Sequence, residues 1–229
     1  MKPLLTLPQD SNSLQTLGRA SLQIVHDLKN QLNGLKLYAT FLRKRMEKTE
    51  HPPDEIETVT KLIAGLDRAA GDLSTLVDFG RPLELRRQTN VDVQKLMRGI
   101  AANFAEGTRA TGALSGALVI EADSSPMLGD FDPTALGDAL RSISVGAVKL
   151  AQGSDAKGAQ LVRLSSDGPD HGAVIIEWEG ISKPDHDPFS SLAGSVEIRM
   201  SLAAKVIEAH GGSAEQREST IRVRLPLTP

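Results

Sequence analysis

Two long stretches near the start of the chain repeat an apolar residue every three or four positions, and a pair of prolines separates them. The stretches cover residues 14–46 and 56–80. Their mean step of about 3.5 residues is typical of helices that pack side by side in bundles. Pro52 and Pro53 end the first helix, because proline lacks a backbone donor and clashes with the preceding turn. The pattern therefore predicts a helical hairpin.

A single helical hairpin buries little apolar surface, whereas two hairpins together form a four-helix bundle. Since both predicted helices have narrow and sustained apolar seams, we expect a homodimeric bundle. The alternative is one hairpin that packs on the second half of its own chain. Gly80, Arg81 and Pro82 end the second helix, so we predict a helical-hairpin domain over residues 1–82.

The remainder of the chain mixes the patterns of strands and helices. We predict helices over 91–104, 133–150 and 195–209, and strands over 117–121, 160–164, 173–178 and 221–225. Asp132 and Pro133 are a suitable cap and first residue for the middle helix. A turn-rich segment between the second and third strands indicates an antiparallel pair. We therefore predict an α+β sandwich domain over residues 90–229.

The composition excludes several classes of function. The chain has 26 basic and 29 acidic residues, a balance unlike that of a nucleic-acid-binding protein. Five Phe, one Tyr and one Trp are too few for a base-stacking platform. The absence of cysteine excludes disulfides and thiol catalysis, and we expect no metal site. Without a long apolar run or a signal-peptide pattern, we expect a cytoplasmic protein that does not cross a membrane.

One histidine of the first helix has neighbours that suit nucleophilic chemistry. His26 follows Val25 of the apolar seam, so it lies on the flank of the helix. Asp27 is next to it, and Lys29 and Asn30 share its helical face. A carboxylate can fix the imidazole tautomer, an amine can offset phosphate charge, and an amide can orient a phosphoryl oxygen. The open alternative is a solvated histidine without a chemical role.

The sequence of residues 24–32, Ile-Val-His-Asp-Leu-Lys-Asn-Gln-Leu, resembles the H-box of two-component sensor histidine kinases. Residues 206–212 resemble the helix end of their ATP-binding domain, and residues 221–226 resemble its closing strand. The resemblance covers about residues 14–226. It implies a dimerisation and histidine-phosphotransfer (DHp) hairpin in a dimeric four-helix bundle, followed by a Bergerat-type, HATPase-like α/β sandwich.

The same resemblance implies a role for individual residues. His26 matches the phosphoacceptor, and Asp27 matches the acidic neighbour that acts as a general base in that family. Asn30 matches the position that supports phosphatase action in some members. Gln31 replaces the usual proline, which removes a helix kink but no chemical group.

The three motifs with which these kinases bind ATP are altered in this chain. Ser142 and Gly146 replace two asparagines, Trp178 replaces the adenine-binding aspartate, and Ser195, Glu197 and Arg199 replace three glycines. Serine and glycine lack the amide oxygen that reaches magnesium, and an indole would fill the adenine space. Side chains in place of glycine keep phosphates away from the backbone. We therefore expect a degenerate domain that binds no ATP and has no cofactor of its own.

A phosphoacceptor without a phosphate source predicts a histidine phosphotransferase of a phosphorelay. His26 would shuttle a phosphoryl group between the aspartates of response-regulator receiver domains, including that of a hybrid kinase, and the receiver would supply Mg²⁺. We expect docking at Asn33, Leu37 and Tyr38, with packing of Tyr38 inside the hairpin as an equal alternative. The competing functions are a non-catalytic dimeric adaptor and a divergent ATP-dependent histidine kinase.

Overall fold

The computed structural model describes residues 11–49, 51–111, 117–123, 125–151, 159–167, 172–182, 186–191 and 195–228, with the side chains at 11–22, 105–111 and 195 excepted. The chain divides into two compact units, Met1–Pro82 and Leu83–Pro229. In its described residues the first unit is helical, and the second combines helices with two sheets.

The first unit is a hairpin of two helices, α1 (Ser11–Met46) and α2 (Pro53–Gly80). Pro53 starts α2, because its fixed φ and missing donor suit a first helical position. Two acidic residues in the first turn of α2 and three basic residues in the last turn of α1 complement the helix dipoles. An ion pair of 2.6 Å between Lys36 and Asp67 joins the two helices. The helical hairpin predicted from the sequence is therefore present.

The hairpin covers one side of the α1 seam and leaves another side uncovered within this unit. Ala39 is buried, whereas Leu28, Leu35 and Leu42 of the same seam are exposed. Their spacing of seven residues places the three leucines on one face of α1, and the exposed Ile24 lies beside them. We call Ile24, Leu28, Leu35 and Leu42 the outer apolar face. One hairpin alone thus does not bury its whole apolar seam.

The second unit contains three helices and seven strands among the described residues. In chain order they are β1 (Gln88–Asp92), α3 (Val93–Thr111), β2 (Leu118–Ala122), β3 (Leu128–Phe131), α4 (Pro133–Ala151), β4 (Gln160–Ser166), β5 (Ala173–Trp178), α5 (Ser195–Ala209), β6 (Ser213–Arg217) and β7 (Thr220–Pro226). Strands β1 and β3 form a small antiparallel sheet. The large sheet has the order β2-β4-β5-β7-β6, in which only the β2–β4 pair is parallel.

The large sheet packs one face into the core and carries mostly charged residues on the other. Strand β5 is an exception to the alternation, because its outward Ala173 and Ile175 are also buried. Inward residues such as Leu164, Ile176 and Val223 share one hydrophobic core with residues of α3, α4 and α5. Charged residues occupy the other face, where Arg163 contacts Glu179 at 2.7 Å. The unit is a two-layer α+β sandwich, which confirms the predicted fold class of this half of the chain.

Three strands have no counterpart among the predicted elements. Strands β1, β3 and β6 have four or five residues each, and β1 and β6 are largely polar, so they lack an apolar alternation. The helix predicted over 91–104 is wrong at its start, because Val91 pairs with Gly129 of β3. Asp92 instead caps α3 by accepting the backbone N–H of Gln94 at 3.0 Å.

Asp132 connects three segments of the second unit. Its carboxylate accepts the backbone N–H groups of Thr134 and Ala135 at 3.0 Å and of Arg86 at 2.8 Å. The backbone N–H of Asp132 donates to His210 Nε2 at 3.0 Å. The N–H of Ala135, followed by that of Arg86, holds the pKa of Asp132 below its usual value. The predicted cap of α4 is therefore confirmed.

His210 is buried where α5 ends. Its Nδ1 lies 2.8 Å from the carbonyl oxygen of Val206, to which it donates, while Nε2 accepts the N–H of Asp132. The ring is therefore neutral, with its proton on Nδ1. Burial lowers the pKa of His210, because a charged imidazolium would lose its hydration. We call the hydrogen-bonded pair of Asp132 and His210 the Asp132–His210 clamp.

Candidate functional site

The His26 ring projects from α1 with its side chain 58% exposed. Two neighbouring side chains approach the same ring nitrogen: Asp27 Oδ1 lies 3.6 Å from Nδ1, and Asn30 Nδ2 lies 3.4 Å from it. Among the described residues, none forms a hydrogen bond with Nε2. The ring therefore has one nitrogen engaged by protein groups and one open to an incoming reactant.

This arrangement suits a nucleophile. A neutral imidazole carries its proton on one nitrogen and a lone pair on the other. When Nδ1 holds the proton, an adjacent carboxylate accepts it in a hydrogen bond, and the lone pair is on the exposed Nε2. Asp27 is thus placed to favour the tautomer with its proton on Nδ1, whereas the Asn30 NH2 group donates to Nδ1 only in the other tautomer.

The structure brings His26, Asp27 and Asn30 together and leaves Lys29 out of this contact set. Lys29 is half-buried on α1, and no hydrogen bond between Lys29 and the ring is among the described contacts. Gln23 also belongs to this site, because its Nε2 donates to Asp27 Oδ1 at 3.1 Å. It was not among the residues singled out from the sequence. The spacing of four residues between Gln23 and Asp27 is the signal that was available.

The residues expected to dock a partner are exposed on α1. At about 100° per residue, Asn33 and Leu37 lie within about 20° of His26 around the helix axis, whereas Tyr38 lies about 120° away. Leu37 is 55% exposed and Tyr38 is 72% exposed, so Tyr38 does not pack inside the hairpin. Phe41, one turn after Leu37, is 63% exposed and was missed. We call Asn33, Leu37 and Phe41 the histidine face.

Two of the altered nucleotide-motif positions lie on α4. Gly146 is buried, and a Cβ built on it would lie 2.3 Å from Met200 Sδ of α5. The two helices therefore touch where an asparagine side chain would otherwise stand. The hydroxyl of Ser142 donates to the carbonyl oxygen of Asp138 in its own helix at 2.9 Å. No sequence motif indicated that Met200 would make this contact.

Trp178 is fully buried in the core of the second unit. Its indole Nε1 donates to the Ser144 hydroxyl at 3.1 Å, and that hydroxyl donates to the carbonyl oxygen of Leu140 at 2.8 Å. The polar atom of the indole is thus satisfied inside the protein. The indole is part of the packed interior and does not line an open cleft.

The remaining altered positions lie on α5. Ser195 is its first residue, Glu197 is half-buried, and Arg199 is exposed. Phe189, which lies between Trp178 and Ser195 in the sequence, is buried in the core of the second unit. Asp187 holds the turn beneath it by accepting the Phe189 N–H at 3.1 Å. The turn that contains Asp187 and Phe189 is therefore packed against the rest of the second unit.

Two features are absent from the described residues. No group of three or more His, Asp or Glu residues in the described ranges is arranged to hold a metal ion. In the same ranges, no helix is both long enough and apolar enough to cross a bilayer.

Comparison with protein-family models gives no match, and neither does comparison with curated protein sequences. Solved structures do match. Full-length ShkA in complex with AMPPNP aligns with 92% of this chain at a TM-score of 0.64 and 18% identity. The histidine kinase AdeS of Acinetobacter baumannii aligns with 89% of this chain, and with 98% of its own, at a TM-score of 0.55 and 16% identity.

The histidine kinase ThkA in complex with the response regulator protein TrrA aligns with 98% of this chain and 68% of its own, at a TM-score of 0.55 and 17% identity. This chain spans 46% of the length of ShkA. Such low identities establish the architecture alone. The chain has the fold of a sensor histidine kinase core, a helical hairpin followed by an HATPase-like α/β domain.

Proposed function

We propose that this chain is a histidine phosphotransferase that carries phosphoryl groups between receiver-domain aspartates through His26. The observation that carries the proposal is the exposed imidazole on α1, whose Nδ1 faces Asp27 and Asn30 while Nε2 is open. The histidine kinase fold supports a place in two-component signalling.

The transfer needs few groups from this chain. The lone pair of His26 Nε2 forms a bond to the phosphorus of a receiver's aspartyl phosphate, while the bond from phosphorus to the aspartate oxygen breaks. The aspartate leaves as a carboxylate. Asp27 holds the Nδ1 proton and offsets the positive charge on the ring. The reverse sequence returns the phosphoryl group to a second aspartate, and the receiver supplies Mg²⁺.

The packing of the second unit supports function without ATP. Gly146 and Met200 bring α4 against α5, and the indole of Trp178 is enclosed in the core. Phe189 fills a further part of that interior. We propose that these contacts replace the nucleotide cleft, so the domain takes neither ATP nor a cofactor of its own.

The outer apolar face supports a homodimer. Four exposed apolar side chains along one face of α1 are an unfavourable surface for a monomer in water. A second hairpin that covers this face completes a four-helix bundle. The His26 rings lie on a different face of α1, so dimerisation leaves them accessible.

The histidine face suits a receiver domain as partner. Leu37 and Phe41 are exposed apolar side chains on the same face as the nucleophile. Transient signalling contacts are small and centre on such anchors. The structure of ThkA with TrrA shows that a kinase of this fold binds a response regulator. We propose that receivers, including that of a hybrid kinase, dock here.

The test is phosphotransfer from purified phosphorylated receivers to the full chain. Wild type should take up label, His26→Gln should not, and His51→Gln should label like wild type. His51 is a matched control because it is another exposed histidine of the hairpin, paired with Glu55 rather than with the site. A His26→Gln variant that labels fully would contradict the proposal.

An ATP-dependent histidine kinase is the second candidate, because ShkA binds the nucleotide analogue AMPPNP. Titration calorimetry with ATP and Mg²⁺ distinguishes the two functions. We expect no binding heat at millimolar ATP. Micromolar affinity would favour the kinase and contradict the closed interior around Gly146 and Trp178.

A further inference from the structure

His26 and Asp27 are consecutive residues of one helix, and consecutive side chains diverge. They point about 100° apart around the helix axis and do not face each other. The Asp27 carboxylate nevertheless lies 3.6 Å from His26 Nδ1. Both side chains are more than half exposed, so water competes for the carboxylate. A further group must hold Asp27 beside the ring.

Gln23 supplies this contact. Its Nε2 donates to Asp27 Oδ1 at 3.1 Å, and the same oxygen faces His26 Nδ1. Gln23 precedes Asp27 by four residues, which places the two side chains one above the other on α1. Helical side chains lean toward the N-terminus of their helix, so the carboxylate of Asp27 inclines toward Gln23. The hydrogen bond from Gln23 therefore holds in place the Asp27 oxygen that lies nearest to His26 Nδ1.

We propose that Gln23 is a positioning residue that controls the tautomer of His26 through Asp27. A carboxylate held beside Nδ1 favours the tautomer with its proton on Nδ1, which leaves the lone pair on Nε2. Without Gln23 the Asp27 carboxylate points toward solvent more often. The tautomer with its proton on Nε2 then becomes more populated. The kinetic consequence rests on the proposed function, whereas the tautomer ratio does not.

The size of the effect follows from the exposure of the contact. A hydrogen bond between exposed side chains four residues apart on a helix is modest. The Asn30 NH2 group, 3.4 Å from His26 Nδ1, donates only to an Nδ1 that carries the lone pair, so it competes with Asp27 over the tautomer. We therefore expect a loss of about 1.4-fold to 2.3-fold in the transfer rate, with unchanged affinity for the receiver.

The experiment compares four variants of the full chain: Gln23→Ala, Gln23→Glu, Gln23→Lys and Gln31→Ala. The two measurements are the transfer rate at saturating phosphorylated receiver and the imidazole ¹⁵N chemical shifts of His26, which report the tautomer. Gln23→Ala should lower the rate and the share of the Nδ1–H tautomer. Gln23→Glu should lower both further, because it removes the donor and repels Asp27.

Gln23→Lys keeps a donor for the carboxylate and should retain both wild-type values. Gln31→Ala, an exposed glutamine of the same helix, is the control and should change neither. A Gln23→Ala protein with the wild-type tautomer ratio would overturn the proposal, as would a slower transfer that comes only from weaker receiver binding. If wild type takes no label, the proposed function fails, and the tautomer ratio alone decides the role of Gln23.

Discussion

Within the described part of the chain, the contacts of the His26 ring come from the helix that carries it. Asp27 and Asn30 lie one and four residues after His26, so a single turn of α1 defines the site. Such a site can be predicted from the sequence, because helical spacing alone determines which residues are neighbours. The same spacing allows a contact between Gln23 and Asp27, but its effect on His26 could not be predicted, since it depends on the rotamer of Asp27.

At Gly146 the space available for a side chain is set by a residue far away in the sequence, Met200 of α5. A Cβ at this position would meet Met200 Sδ at 2.3 Å and Cγ at 2.9 Å, so Gly146→Ala forces Met200 to move. Gly137 of the same helix has nothing within 4 Å of its Cβ position. We expect Gly146→Ala to be less stable than Gly137→Ala by about 1–3 kcal/mol, the usual cost of overpacking a core.

Urea unfolding followed by the fluorescence of Trp178, the chain's single tryptophan, measures this difference. Gly137→Ala should match or exceed wild type, because alanine is a better helix former than glycine by up to about 1 kcal/mol. Equal stability of the two variants would show that α4 and α5 are less tightly packed than described.

Helix α1 presents two exposed apolar faces with different proposed partners. Leu35 belongs to the outer apolar face and Leu37 belongs to the histidine face. The two leucines are 54% and 55% exposed, so they differ in direction and not in burial. A helix with two such faces can bind a second hairpin and a receiver at the same time.

This difference in direction makes Leu35 and Leu37 a matched pair for mutation. Leu35→Glu should dissociate the proposed dimer, because it places a charge at the centre of the interface proposed for the outer apolar face. Leu37→Glu should leave the proposed dimer intact and weaken transfer from a receiver by about tenfold or more, as expected when an interface anchor is lost. Light scattering and phosphotransfer rates measure the two effects. A Leu37→Glu variant that is monomeric and a Leu35→Glu variant that is dimeric would reverse the assignment of the faces.

The Asp132–His210 clamp predicts how stability depends on pH. The folded pKa of His210 lies below its usual 6.5, so below about pH 6.5 the unfolded chain binds a proton that the folded chain does not. The free energy of unfolding should therefore fall as pH decreases from about 6.5 toward the folded pKa. Asp132 adds a second loss below about pH 3.8, because its folded pKa is also lowered.

Unfolding curves at pH 7, 6 and 5 measure the first of these losses. The slope due to His210 is at most about 1.4 kcal/mol per pH unit. His210→Asn should reduce the slope, since it removes the titrating ring while an amide oxygen remains available to accept the N–H of Asp132. An unchanged slope in this variant would show that His210 does not cause the acid sensitivity.

The elements of the fold differ in how well the sequence predicted them. Helices α1 and α2 were predicted because a repeat of about 3.5 residues persists over many turns. Strands β1 and β6 were missed because they are short and polar. Strand β1 depends on pairing with the distant β3, and β6 on a tight hairpin with β7. Phe189 and Met200 were missed for a similar reason, since nothing local marks a side chain that fills space left by another helix.

At the scale of the whole molecule, the two units carry different parts of the proposed function. The hairpin holds the nucleophile, the histidine face and the outer apolar face. The second unit keeps the HATPase-like architecture while its interior is filled by Trp178, Met200 and Phe189. Under the proposed function, the chain passes on phosphoryl groups that another protein has prepared.

The most direct test of this account is a two-step chase. The full chain is labelled by one phosphorylated receiver, separated from it, and mixed with a second unphosphorylated receiver and Mg²⁺. The label should be acid-labile, confined to the peptide that contains His26, and transferred to the aspartate of the second receiver without added ATP. Label found on another residue, or label that never reaches the second receiver, would contradict the central claim.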